Sequence, residues 1–212
     1  MSGHDDFAFE PVPGLPERLP QGEDMLWQGR PNSLALAREA YKITWIAAYF
    51  AAVVVFKAGS ALATGGLVYA LAIGLPYLGV GLLCLTIVFG LAWAQARSTL
   101  YTITSARVVM RIGVALPVTF NLPFAQVGAA SLDRRSGGTG TIALSLLGTT
   151  RISLLVAWPH VRPWRLAKTE PALRCIPDAE AVARLLAEAA ETRLAMPVIR
   201  RSEAGSPAFA AE

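Results

Sequence analysis

Between Ala58 and Ala96 the chain carries no Asp, Glu, Lys, Arg or His, and from Ile43 onward the only charge before Arg97 is Lys57. About 20 apolar residues cross a hydrocarbon core as a helix. This stretch is more than twice that length, so it is expected to cross twice. The first crossing is placed near residues 42–61 and the second near 76–96. Lys57 lies near the far end of the first, where its long stem lets the ammonium reach the interface. The segment between them, ATGGLVYALAIG, is too short for a further crossing with loops on both sides. It is read as an interfacial or re-entrant helical turn ending at a Pro76 break, with Gly65 and Gly66 making the turn. A third crossing is the alternative, and it would separate the two ends of the chain.

Charge sets the orientation. Arg30, Arg38 and Lys42 precede the first crossing, and Arg97, Arg107 and Arg111 follow the second. The intervening loop has none, so both ends are expected in the cytoplasm, on an inner-membrane, multi-pass protein. Trp45 and Trp93 fall where interfacial aromatics belong. Composition agrees, since 54% of the residues are hydrophobic and only 16% charged, against about a quarter charged in ordinary soluble domains. No basic tract interleaved with aromatics appears, which argues against a nucleic-acid partner. Neither Cys84 nor Cys175 has a CxxC partner, so neither a metal site nor a disulfide framework is indicated.

After Arg97 the texture changes. Short β-rich runs follow one another: STLYTIT, RVVMRIG, PVTFNLPF, AQVGAASLDRR, TGTIALSLLG and RISLLVAW. Ser-Gly-Gly marks a hairpin between the fourth and fifth. In TIALSLL the inward set is Ile142, Leu144 and Leu146. In RISLLVAW it is Ile152, Leu154, Val156 and Trp158. Six strands in so short a length suggest a small antiparallel barrel or sandwich. Pro177-Asp178 signals a closing helix with an apolar stripe of Val182, Leu185, Leu186 and Ala189 and a Glu180–Arg184 pair. The organisation is therefore an N-terminal arm over 1–41, a membrane hairpin over 42–96, a cytoplasmic domain over 97–195 and a disordered tail over 196–212. The fold class is α+β.

Two resemblances accompany these features. LYTITSARVVMRIG directly after a membrane hairpin, with Trp27, Gly29, Arg30 and Pro31 before it, resembles bacterial membrane proteins that carry a pleckstrin-homology-like domain. That resemblance implies an antiparallel barrel capped by one helix. The ordered set HDDFAFEPV, GLPERLP, LWQGRP, FNLPF, GTGTIAL, WPHVRPWR and EPALRCIPDA resembles the PuhB family, reaction-centre assembly proteins of purple phototrophic bacteria. It runs from His4 to about Arg193. It implies a non-catalytic assembly factor whose partners are reaction-centre subunits and, at second hand, core light-harvesting antenna polypeptides. No catalytic residues are carried over.

The residues themselves supply little enzyme chemistry. There is no P-loop, GxGxxG, HExxH or nucleophile elbow, and RSGGTGTI reads as a hairpin because it lacks the phosphate-binding lysine. WPHVRPWR, residues 158–165, is the richest stretch. His160 is either a bacteriochlorophyll ligand or a loop histidine bonded to backbone. Trp158 is expected to end a strand and face the core. Arg162, Trp164 and Arg165 then form an aromatic–basic patch for a partner or for membrane lipids, or they pack internally. In LWQGRP, Leu26 and Trp27 are expected to add an edge strand, Arg30 to meet headgroups, and Asn32 or Ser33 to cap the next helix, with Trp27 and Arg30 also candidates for partner or membrane contact. Gly74, Gly79, Gly81 and Gly90 permit close helix contact, either with partner helices or in a homodimer. The acidic, proline-rich N-terminus is either a recognition arm or a plain tail.

Overall fold

The computed structural model describes residues 14–15, 17–135, 137–148, 152–165 and 168–195. His4 with the rest of residues 1–13, the tail from Met196 onward and Arg151 lie outside the described residues. The elements in chain order are β1 (Met25–Gly29), α1 (Ser33–Glu39), α2 (Ile43–Ser98), β2 (Leu100–Thr104), β3 (Arg107–Ile112) and β4 (Val118–Pro123). A 3-10 turn at Phe124–Gln126 precedes β5 (Val127–Arg134), β6 (Thr139–Leu146), α3 (Leu154–Ala157), β7 (Ala172–Pro177) and α4 (Ala179–Ala195).

The strands form two antiparallel sheets, one of order β1-β2-β3-β4 and one of order β5-β6-β7. They share one core rather than closing into the single barrel expected. Tyr101, Ile103, Val108 and Met110 come from the first sheet, and Ile142, Leu144, Leu173 and Ile176 from the second. Ile142, Leu144 and Leu146 are the inward set of β6, as the alternation predicts. Val182, Leu186 and Ala189 bury the apolar stripe of α4 against the same core. Glu180 pairs with Arg134 of β5 at 3.0 Å, across the sheet-to-helix contact.

Three expectations are corrected. The first concerns the domain boundary. β1 lies before the apolar helix yet pairs with β2, with Trp27 opposite Ile103 and Gly29 opposite Tyr101. The sheet therefore begins in what the sequence reading treated as the arm, and α1 and α2 are inserted between its first two strands. The second concerns RISLLVAW, which is not a strand. β6 is already bonded along both edges, to β5 and to β7, so no edge is left for it. Residues 154–157 make a single helical turn instead, with Ala157 buried and Leu155 90% exposed. The third strand of this sheet is ALRCIP, buried along almost its whole length and so without a period-two signal.

The third correction concerns the apolar segment. Helix continues from Ile43 to Ser98 and passes through Pro76. The interruption is at Gly66, with φ 75° and ψ −173°, a conformation essentially reserved for glycine. In a straight helix Ala58 and Gly74 would stand roughly 24 Å apart. Instead a Cβ built on Gly74 would lie 3.1 Å from that of Ala58, and one on Gly81 would lie 3.0 Å from that of Phe50. The chain therefore turns back at Gly66 and its two arms run antiparallel. Lys57 sits 5.8 Å from the Tyr77 ring across this seam.

Candidate functional site

The base of the apolar helix is locked to the sheets at two places. At the first, Asn32 caps α1, its side chain accepting from the Ala35 N–H at 3.0 Å, while its own N–H donates to the Cys175 carbonyl of β7 at 2.8 Å. Leu36 of α1, Ala96 of α2 and Cys175 pack together with almost no exposure. Burial, with a smaller push from Glu39, raises the Cys175 thiol to about 12, so it stays protonated.

The second lock is His160, which is fully buried. Its Nε2 is 3.1 Å from the Gln95 side-chain nitrogen and 3.1 Å from Thr99 Oγ1. Its Nδ1 is 2.5 Å from the Tyr101 hydroxyl. That hydroxyl also accepts the Arg174 backbone N–H at 3.2 Å. A neutral imidazole donates from one nitrogen and accepts at the other, and these partners serve either tautomer. Burial first, and then the nearby Arg174 charge, push the His160 pKa down to about 3. Tyr101 is pushed well above the ordinary tyrosine value, chiefly by burial. The His160 ring thus bonds to side chains at α2's end and in β2, while only its main chain bonds to backbone, its N–H donating to the Ala157 carbonyl and its carbonyl accepting from the Ala172 N–H. Both ring nitrogens already have protein partners, so holding a pigment metal would require breaking this cluster.

The rest of WPHVRPWR surrounds that joint. Trp158, half exposed, packs edge-on against Tyr41 with ring centroids 5.2 Å apart, not into the core as expected. Arg162 Nη1 and Arg165 Nη1 reach the same carboxylate, Glu170, at 3.0 and 3.2 Å. Ser145 donates to Glu170 at 2.7 Å. Burial works to raise the Glu170 pKa, but the hydrogen bonds from Ser145 and Arg162 and the two arginine charges outweigh it, and it lies below the usual value. Trp164 is 94% exposed.

Arg162 and Trp164 border a cavity of about 410 Å³ with Arg38, Lys42 and Arg174. Trp27 and Arg30 are not part of it. Trp27 packs on the shared core, and its ring lies over Gly29, where any Cβ would overlap it. Arg30 is exposed and shares a shallow recess with Trp93 and Arg97 at the base of α2. The Arg97 guanidinium stands 5.8 Å from the Trp93 ring. Sequence reasoning missed Gln95, Tyr101, Glu170 and Arg174. An arginine inside an otherwise apolar strand, ALRCIP, was the one signal that could have found Arg174. Among the described residues no group of three metal-ligating side chains comes together.

Two sheets of four and three antiparallel strands closed by a C-terminal helix define a pleckstrin-homology-like protein, here with a long apolar helix inserted after its first strand. The chain belongs to the bacterial PH domain family, whose pattern matches residues 42–190. It is 45% identical, over the full length of both chains, to a Rhodobacter capsulatus protein described as an uncharacterized 23.7 kDa protein in the puhA 5′ region. No solved structure matches it.

Proposed function

We propose that this chain is a non-catalytic integral membrane assembly factor for the photosynthetic reaction centre. The observation that carries the reading is the full-length relative in the puhA 5′ region, which agrees with the motif set that resembles reaction-centre assembly proteins. The form of the molecule supports it. α2 is the one helix among the described residues long and apolar enough to cross a membrane, and only 11% of its most apolar window is buried. A core helix of a soluble protein would be mostly covered. Turned back at Gly66, it forms a two-helix transmembrane hairpin in the inner membrane. Both flanks and the PH-like domain then stand on the cytoplasmic face, as the arginine distribution requires.

Gly74 and Gly81 are used within the hairpin, against Ala58 and Phe50. A Cβ added at Gly79 or Gly90 would meet nothing within 4 Å, so of these four glycines they are the two open to a partner helix or a second copy. In this reading the hairpin holds nascent reaction-centre helices, the domain touches their cytoplasmic surfaces, and the core antenna is affected through them. Affinity for incomplete partners alone would make the contact transient.

The test is to purify a tagged chain from phototrophically growing cells through all growth phases. Reaction-centre subunits are expected to co-purify during assembly. Their absence at every stage overturns the reading. A second reading is a lipid- or bacteriochlorophyll-binding module, and the basic cavity favours its lipid form. Near-infrared absorption of the purified protein, lost on His160→Ala, would identify the pigment form of it.

A further inference from the structure

The cavity bordered by α1, the outer face of β5-β6-β7 and the loop carrying Trp164 has an unbalanced charge. Five cationic side chains line it (Arg38, Lys42, Arg135, Arg162 and Arg174) against two carboxylates, Glu39 and Asp133. Arg135 pairs with both of those carboxylates, and Arg162 is held by Glu170. Among the described residues, Arg38, Lys42 and Arg174 have no ion-pair partner.

Arg174 is the informative one. It is 5% exposed, and Nη1 donates to the Pro159 carbonyl at 3.0 Å. Its Nε is buried with no hydrogen-bond partner. A guanidinium taken out of water without a counter-charge is strongly unfavourable. Its planar set of donors suits a tetrahedral oxyanion. A second cation on α1 and a third at Lys42 face the same space.

We propose that this cavity binds a phosphate group, held by Arg174 from the sheet and by Arg38 and Lys42 from the helix base. The volume accommodates a polar headgroup. The source favoured is an acidic phospholipid. Lys42 is the residue immediately before the apolar helix, and the rim carries Trp164, 94% exposed. An exposed tryptophan beside unpaired cations matches the chemistry of the headgroup layer. The lipid source rests on the membrane placement proposed above, but the phosphate site does not.

The experiment uses the full chain in neutral detergent. Short-chain phosphatidylglycerol, phosphatidylcholine and inorganic phosphate are titrated separately at fixed ionic strength, and binding is followed by thermophoresis. Phosphatidylglycerol is expected to bind saturably and better than phosphatidylcholine. R38A/K42A should weaken it roughly tenfold or more with unchanged melting. Arg174→Met should abolish it, and ligand should raise the melting temperature of the wild type but not of this variant. Saturation by inorganic phosphate with no effect of phosphatidylglycerol would keep the site and overturn the lipid as its source. Binding in R38A/K42A equal to wild type, or no binding of any probe, would overturn the site itself.

Discussion

The Gln95 side-chain nitrogen lies 3.1 Å from His160 Nε2, so the last turn of the apolar helix and the loop before β7 meet in one buried polar contact. Thr99 and Tyr101 complete the cluster. Buried polar groups of this kind hold position because any displacement leaves a donor or acceptor unpaired. The domain and the helix are therefore expected to move as one body at this joint.

The joint is sensitive to acid. The His160 pKa falls from 6.5 to about 3 on folding, so between those values the unfolded chain binds the extra proton and the folded chain does not. Stability then rises with pH across that window and levels off above about 6.5. Melting followed from pH 4.5 to 7 should show this slope, on the order of a few kcal/mol in full. His160→Gln should flatten it.

Glu170 acts lower on the pH scale. Its folded pKa is depressed below 4.5, so its contribution is complete above that value and is lost as pH falls through the folded pKa. Glu170→Gln removes the charge that holds Arg162 and Arg165. A loss of roughly 2–4 kcal/mol is expected at pH 7 by chemical denaturation. Arg165→Ala, whose partner keeps Arg162 and Ser145 and whose own side chain is half exposed, should cost under about 1 kcal/mol.

The glycines of the hairpin should divide into two classes. Gly81→Val places atoms against Phe50, where a bare Cβ is already at 3.0 Å. It should open the seam and lower the melting temperature measurably. Gly79→Val and Gly90→Val face open space and should leave melting unchanged while reducing recovery of partner subunits in the tagged purification.

Trp27→Ala should be costly for a residue in the N-terminal part of the chain. Its ring packs on the shared core and its strand pairs with β2. A loss of roughly 2–4 kcal/mol is expected. Removing residues 25–29 should prevent the domain from folding, although the segment lies far from it in sequence.

The apolar run, its flanking arginines and the alternation in TIALSLL are local properties of composition and period. The chain alone therefore determined the apolar segment, its turn at Gly65-Gly66 and the inward face of β6, but not the helix that continues through Pro76. It also determined the Asn32 cap and the placement of Leu26 and Trp27 in a strand, because capping and edge pairing have short-range signatures. The tertiary structure decided the remainder. RISLLVAW alternates like a strand, yet β5 and β7 occupy both edges of its would-be partner, and edge availability is not written in a period of two. The sequence of WPHVRPWR leaves its histidine open to a ligand or to a loop contact. Folding instead surrounds that histidine with Gln95, Thr99 and Tyr101, brought from about sixty residues away. The unpaired Arg174 Nε is likewise a product of assembly. An arginine's exposure and partners depend on which elements close over it, and here α1, the neighbouring strands β5 and β6 and the Trp164 loop surround Arg174 of β7 only once the sheets have formed.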